Sequence, residues 1–426
     1  MKGVFIILDG AADEPISALG NKTPLEVAKT PHLDEIAEKS RIDHCYTVKE
    51  GVAPESSSAV VSLLGYDPNN VPRGPLEAIG AGMYLKKGDL VFRTNFATID
   101  DLKDGNILDR RAGRTLTTKE ARKLAREVNE NVKLPFKFEF LPTIQHRGVL
   151  VFRGGFSDNI SNADPGYGKG FVLNTQGSKI VFPKPLDDED DSKLSADLVS
   201  SFMRHSFEVL EKSKINEERS RKGLYPANFI LCRDAGSEII RLKKMKGKWL
   251  ALGYMPLEIG IARVAGMNVY KFRYPKMKKI DVYSTLYAGL YRAIKYAVRM
   301  LKWNKNKYDY FYIHIKETDT PGHDGNYKDK VKMIELIDER FFSFLKNFIG
   351  DARLVITADH TTSCKRKAHT DQPVPVLIYP EEKHEKKRFI ETEGLKGKKI
   401  MGRKLLEETL LEKKSPQLCC DWVKTI

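Results

Sequence analysis

The chain opens on a continuous apolar run, Gly3-Val-Phe-Ile-Ile-Leu8, which stops at Asp9. Apolar residues without alternation predict a strand buried on both faces rather than one with a wetted side. Thr30-Pro31 reads as a helix start, a cap residue followed by proline at the first helical position. In the second half Leu286, Leu290, Ile294, Ala297 and Leu301 recur at helical spacing and predict a helix over 284–301. Strands are predicted at 308–315, 353–357 and 375–379, with a long helix over 329–348. Alternation of this kind makes an α/β fold, a mostly parallel sheet covered by helices on both faces.

The middle of the chain has another texture. Thr117-Thr-Lys-Glu120 is a capping box that opens a helix, whereas 136–140 and 148–152 read as short strands. An irregular stretch over 154–193 includes the acidic run Asp187-Asp-Glu-Asp-Asp191, predicted as a solvated loop. No internal repeat is seen. The simplest parse is an α/β core formed by residues 1–85 and 265–426, interrupted by an inserted α+β cap domain over 86–264.

Composition narrows the class. With 41% hydrophobic and 30% charged residues, the chain has an ordinary globular balance. No apolar run approaches the roughly 18–20 residues of a membrane helix. The opening run is too short for a signal peptide, so a cytoplasmic protein is expected. The five cysteines, Cys45, Cys232, Cys364, Cys419 and Cys420, form no CxxC pair and suggest neither a disulfide framework nor a thiolate zinc site. Net charge is +15, but much of the excess lies in the lysine-rich runs 243–248, 276–279 and 383–388. These read as exposed faces; no aromatic-interleaved RNA motif or zinc finger accompanies them, so an acidic small-molecule partner is preferred to nucleic acid.

Candidate ligands fall just after predicted strands, where parallel sheets border their ligand crevice. Asp9 follows the first strand, Asp319 and His323 follow 308–315, Asp359 and His360 follow 353–357, and His369 lies in the next loop. Asp319-Thr-Pro-Gly-His323 has the i, i+4 spacing that points a carboxylate and an imidazole at one ion, although its Pro-Gly pair favours a turn over a regular helix. Taken singly, each of these could be a helix cap or a structural turn. Three such elements at strand ends point to metal, with enough donors for two ions about 4 Å apart, the arrangement used for in-line phosphoryl displacement. Mixed carboxylate and imidazole donors suit Mn²⁺, Zn²⁺ or Co²⁺. Ser56, Ser57 and Ser58 offer a nucleophile, or else simply cap a helix running through Leu64. Arg110, Arg111 and Arg114 crowd a small turn, and Arg147 and Arg233 flank apolar runs; all five suit anion binding, or surface ion pairs.

Several segments together resemble the archaeal-type, cofactor-independent phosphoglycerate mutases of the alkaline phosphatase superfamily. They are Leu8-Asp9-Gly10, Ser62-Leu-Leu-Gly-Tyr-Asp-Pro68, Arg73-Gly-Pro-Leu-Glu-Ala-Ile-Gly-Ala-Gly82, Asp109–Arg114, Gly260-Ile-Ala-Arg263, His314–Gly325, Ala358-Asp-His-Thr-Thr362 and His369–Pro375. The resemblance spans nearly the whole chain. It implies an alkaline-phosphatase-like core and two divalent ions, Mn²⁺ foremost, with Zn²⁺, Co²⁺ or Mg²⁺ as alternatives, and no need for 2,3-bisphosphoglycerate. By matching motifs, Asp319, His323 and His369 would hold one ion, and Asp9, Asp359, His360 and the nucleophilic serine the other. The family's serine aligns with Ser56, though its flanks differ: Pro54-Glu55 stands where Pro-Gly is usual. The implied reaction moves the phosphoryl group of 3-phosphoglycerate to serine and back to the other hydroxyl of glycerate, giving 2-phosphoglycerate. Arg110, Arg111, Arg114, Arg147 and Arg233 would hold the substrate. The nearest rival is a phosphomonoesterase or another phosphomutase on the same core; a sulfatase is disfavoured by the lack of a Cys-x-Pro/Ala-Ser-Arg motif. The rival from another class is a non-catalytic basic protein that binds RNA.

Overall fold

The computed structural model describes residues 1–168, 171–172, 178–238, 240–277, 281–381 and 386–411. Cys419 and Cys420, and parts of the irregular stretch 154–193 and of the lysine runs 276–279 and 383–388, lie outside the described residues.

The large sheet has eight strands. From one edge to the other they are Asn268–Lys271, Trp249–Gly253, Tyr310–Ile315, Gly3–Leu8, Arg353–Thr357, Val374–Tyr379, Arg41–Tyr46 and Lys399–Met401. The first five run parallel, and Val374–Tyr379 is antiparallel to both neighbours. Gly3–Leu8 lies at the centre, and Val4 to Leu8 are at most 1% exposed. Burial on both faces is what its unbroken apolar run requires, and it stabilises by roughly 1.5–3 kcal/mol per large side chain. The predicted helices appear as Pro31–Ala37 and Val282–Asn304. The expected helix over 329–348 is a succession of Tyr327–Ile337, a wide turn at Asp338–Phe342, and Ser343–Phe348.

A second, antiparallel sheet is built on the ten-residue strand Leu90–Ile99, which pairs with Ile107–Asp109, Arg147–Phe152 and Phe229–Gly236. Phe138–Pro142 completes it beside Arg147–Phe152. Helices Thr118–Asn131 and Asp190–Glu211 cover it, with their own apolar cluster around Phe140, Phe152 and Phe202. The predicted capping box at Thr117 is present, its Oγ1 accepting from Glu120 N at 3.2 Å.

Two features differ from the sequence reading. The second sheet ends at Gly236, whereas the expected insertion ran to 264; Trp249–Gly253, buried throughout, pairs instead with Tyr310–Ile315 in the large sheet. The acidic run is only half loop. Asp190 and Asp191 form the first turn of the 22-residue helix Asp190–Glu211, where negative charge meets the positive helix end.

The two sheets meet at helix Arg73–Ala81, packed on helix Pro256–Val264 of the core and on strands Leu90–Ile99 and Phe229–Gly236. A string of charges runs through this joint. Arg73 reaches Glu55 at 3.6 Å and Glu77 at 2.8 Å, and Glu77 reaches Arg93 of the second sheet at 3.0 Å. Among the described residues no helix is long and apolar enough to cross a membrane.

Candidate phosphoryl-transfer site

Parallel strands deliver their carboxyl ends to one edge of the large sheet, and the predicted Asp and His residues collect there. Asp9 follows Gly3–Leu8, and Gly10 turns the chain sharply with φ +56°. A Cβ on Gly10 would meet Thr362 Oγ1 at 2.5 Å and Asp319 Oδ1 at 2.8 Å. Gly10→Ala therefore combines backbone strain with a clash inside the cluster. We expect it to lower stability by about 1–3 kcal/mol, read as a shifted denaturant midpoint at unchanged slope.

Two groups form within the cluster. In the first, Asp359 accepts from Gly10 N at 3.0 Å and from His360 N at 3.1 Å, which holds its carboxylate against Asp9 and His360. His360 Nε2 lies 3.2 Å from Asp359 Oδ2 and 3.6 Å from Asp9 Oδ1. Ser56, the first residue of helix Ser56–Leu63, places its Oγ 3.0 Å from the same nitrogen. Of the three serines it is the one brought to the cluster; Ser58 Oγ donates to Glu55 O within its own turn. Thr362 donates to Asp319 Oδ1 at 2.9 Å and so accepts from His360 Nδ1–H, also at 2.9 Å. That network puts the His360 proton on Nδ1 and leaves the Nε2 lone pair facing Ser56, Asp9 and Asp359.

In the second group, helix Asp319–Asp324 carries Asp319 and His323 on one face, 3.5 Å apart. The structure here is helical where Pro321-Gly322 suggested a turn, because Pro321 falls in the first turn, where no hydrogen bond from its nitrogen is needed. His369 Nε2 lies 3.6 Å from Asp319 Oδ1. His369 Nδ1 donates to Pro54 O at 2.7 Å and His323 Nδ1 to Lys367 O at 3.2 Å. In their neutral forms the two rings then aim Nε2 lone pairs at each other across 3.1 Å. Such a contact is repulsive unless a proton or a cation stands between them. Burial opposes charge on His369, but Asp319 outweighs it and pushes the pKa up to about 9.

Electrostatics elsewhere in the cluster point the same way. Asp9 Oδ1 and Asp359 Oδ2 are buried and accept no hydrogen bond among the described residues. Burial disfavours the Asp359 carboxylate, yet His360 in its protonated form, together with His314 and Lys316, holds its pKa below the usual range. Buried acceptors without donors cost about 1–3 kcal/mol each, more when charged, unless something positive meets them.

Several contributing residues were missed in the sequence. His314 donates from Nε2 to Asp9 Oδ2 at 3.1 Å and accepts at Nδ1 from Tyr312 OH at 3.1 Å. Lys316 pairs with Asp9 and reaches Glu258 Oε1 at 3.1 Å. Burial would lower the pKa of Lys316, but Asp9 and Glu258 hold it well above the ordinary lysine range. The available signal was polarity: His314 interrupts the apolar strand Tyr310–Ile315, and Lys316 directly follows it.

A cavity of ≈ 140 Å³ lies between the two sheets, lined from the core by Lys316, Glu317 and Asp319 and from the second sheet by Arg111, Arg114 and Arg147. The DRRAGR turn achieves this by strain. Asp109 Oδ1 accepts from Arg111 N at 2.7 Å and Gly113 N at 2.8 Å, while Ala112 and Arg114 adopt φ +47° and +55°. Arg114 reaches across to Asp324 at 2.8 Å. Arg147 makes no ion pair among the described residues and is joined in the cavity wall by Arg73 and His146. Arg110 and Arg233 take another place: both pair with the buried Asp164. Burial opposes the Asp164 carboxylate, and Arg233 and Arg110 overcome it, so these two guanidiniums brace the second sheet.

Known proteins resemble this chain over most of its length. Residues 37–216 match the family model described as 2,3-bisphosphoglycerate-independent phosphoglycerate mutase. A protein of that name from Thermococcus kodakarensis is 38% identical over 387 residues, covering 88% of each chain. One from Archaeoglobus fulgidus is 37% identical over 424 residues, covering 96% of this chain and 97% of its own. A solved structure from Pyrococcus horikoshii superposes with a TM-score of 0.72 at 28% identity, covering 97% of this chain and 99% of that one. The cofactor-independent phosphoglycerate mutase from Thermoplasma acidophilum gives 0.57 at 26% identity, covering 96% and 99%. With relatives of this name matching at 37–38% identity over most of its length, the chain belongs to the family of 2,3-bisphosphoglycerate-independent phosphoglycerate mutases, which are isomerases.

Proposed function

We propose that the chain interconverts 3-phosphoglycerate and 2-phosphoglycerate through a phosphoserine at Ser56, as a cytoplasmic enzyme of glycolysis and gluconeogenesis. The observation that carries this reading is the position of Ser56 Oγ, 3.0 Å from His360 Nε2, in a cluster joined through Thr362 to Asp319, which lines a cavity walled by Arg111, Arg114 and Arg147. The donors fit two divalent ions. Asp319, His323 and His369 would hold one, and Asp9, Asp359, His360 and Ser56 the other; the orphaned Asp9 and Asp359 oxygens and the facing imidazole lone pairs support two ions, while His360, whose ligand atom also lies within 4.8 Å of those of Asp319 and His369, stands between the two groups. Mn²⁺ suits the mixed donor set, and such ions, when bound, favour the ionised serine and offset phosphoryl charge.

The chain's own residues supply the rest. Ser56 Oγ gives up its proton and bonds to phosphorus as the bond to the 3-oxygen of the substrate breaks; that oxygen takes up a proton, leaving glycerate in the cavity. Arg111, Arg114 and Arg147 hold the glycerate carboxylate and keep it from leaving. The 2-hydroxyl of glycerate then takes the phosphoryl group, the Ser56 bond breaks, and the serine regains its proton. Lys316 adds a fixed positive charge on the core side. The second sheet, 90–236, serves as the cap that excludes water, so that the phosphoserine meets glycerate first.

Incubation with 3-phosphoglycerate and Mn²⁺, without 2,3-bisphosphoglycerate, should yield 2-phosphoglycerate with little free phosphate. Free phosphate without isomerisation would assign a phosphomonoesterase instead. Thr362→Val removes the hydroxyl that links His360 Nδ1–H to Asp319 Oδ1. We expect Mn²⁺ affinity to fall about 10–100-fold, measured by metal titration of activity and calorimetry, at unchanged melting temperature of the metal-free protein.

A further inference from the structure

Outside the catalytic cavity, a pocket of ≈ 960 Å³ lies between Lys271–Arg273 and helix Val282–Asn304. Among the described residues five cations line it, Lys271, Arg273, Arg292, Lys295 and Arg299, and no acidic side chain does. Arg292, Lys295 and Arg299 stand at i, i+3 and i+7, one stripe of the helix about 10 Å long. None of the five makes an ion pair among the described residues. Ordinary basic helices intersperse acids at i+4; this face does not.

The cations are held in place by other means. Arg292 donates to Arg273 O at 2.8 Å. The Arg299 guanidinium lies over the rings of Tyr296, at 5.3 Å, and Trp303, at 4.9 Å. Phe272 and Tyr296 stack at 4.7 Å to form an apolar wall. Burial and the nearby Arg263 depress the pKa of Lys271, as expected where positive charge accumulates without compensation.

We propose that this pocket binds a small anion carrying two or more phosphate groups. Guanidinium forks match phosphate oxygens bidentately, and a stripe of this length offers more charge than one phosphate can neutralise. The pocket's size lies at the upper end of the range for small-molecule sites. A nucleic acid strand fits less well. Its bases need several free aromatic faces in a row, whereas Phe272 is only 8% exposed, Tyr296 carries Arg299 over its ring, and Tyr291, 45% exposed, has Arg340 over one of its faces.

Calorimetric titration of the full chain with inorganic tripolyphosphate tests the site. Lys295→Glu should weaken binding by about tenfold or more, and Arg292→Gln by several-fold, whereas Lys123→Glu on helix Thr118–Asn131 should change it less than about twofold. Neither pocket variant lines the catalytic cavity, so mutase turnover and melting temperature should match the parent and certify the fold. Heat from any metal stripping is common to all four proteins, so the differences report the pocket. Unchanged affinity in Lys295→Glu would place the anion elsewhere and overturn the proposal. So would absence of tripolyphosphate binding alongside a single-stranded oligonucleotide that binds and is released by Lys295→Glu, an outcome that would mark a nucleic-acid surface.

Discussion

Ser56→Ala is expected to lower mutase turnover by about 10⁵-fold or more, while Ser57→Ala and Ser58→Ala stay within about tenfold of the parent. The size of the effect follows from the proposed covalent step: without the Ser56 hydroxyl no phosphoryl acceptor stands at the cluster, and what remains is positioning. The substitution leaves no cavity of consequence, so loss of activity will not be confused with loss of fold. Ser56 is 9% exposed and Ser57 7%, hence burial does not separate them; contact does, since Ser56 Oγ meets His360. Turnover of 3-phosphoglycerate reads the first part of the prediction. The second part is intact mass after rapid quenching, which should show one added phosphoryl group on the parent and none on Ser56→Ala. If Ser57→Ala were the inactive variant, the helix register assigned to the nucleophile would be wrong.

The second large effect is metal removal. Exhaustive chelation should reduce turnover to below about 1% of the holoenzyme, since a charged phosphoryl group must otherwise be moved beside two buried carboxylates and a third that is half-buried. It should also destabilise the fold, by about 4 kcal/mol relative to enzyme held at a thousandfold excess over the metal dissociation constant. The expected sign comes from Asp9, Asp359 and Asp319, whose mutual repulsion is then relieved only by Lys316 and protonated imidazole. Turnover and melting temperature should both return with Mn²⁺. A chelated protein of full activity would sink the two-ion assignment, and a melting temperature indifferent to metal would refute the stability half alone.

The legible part of the fold was the part governed by local pattern. The run Gly3–Leu8 announced a doubly buried strand because no polar position offered it a solvent face, and the capping box at Thr117 fixed a helix start. Strand Trp249–Gly253 was assigned to the insertion because its place in the large sheet depends on pairing with Tyr310–Ile315, some sixty positions on, which no local pattern encodes. The candidate site divides similarly. Asp9, Asp319, His323, Asp359, His360 and His369 were visible as polar residues at strand ends. Arg110 and Arg233 could not be told from Arg111 and Arg147 by spacing, since their direction is set by Asp164, distant from both in sequence. Lys316 and Glu258 were hidden for the same reason: each matters through the other and through Asp9.

The charged string at the joint, Glu55–Arg73–Glu77–Arg93, bears on fidelity. A phosphoserine has two possible fates, and the outcome is a race between a tethered glycerate hydroxyl and free water. Glu55 is the immediate neighbour of Ser56, and Arg93 belongs to the roof above it. Under the proposed mechanism the spacing of the roof from Ser56 is set by ion pairs, Glu77–Arg93 buried and Glu55–Arg73 partly so, which salt screens less than exposed ones. On that proposal, the choice between isomerase and hydrolase depends less on the atoms that make and break bonds than on how firmly the lid is spaced from them.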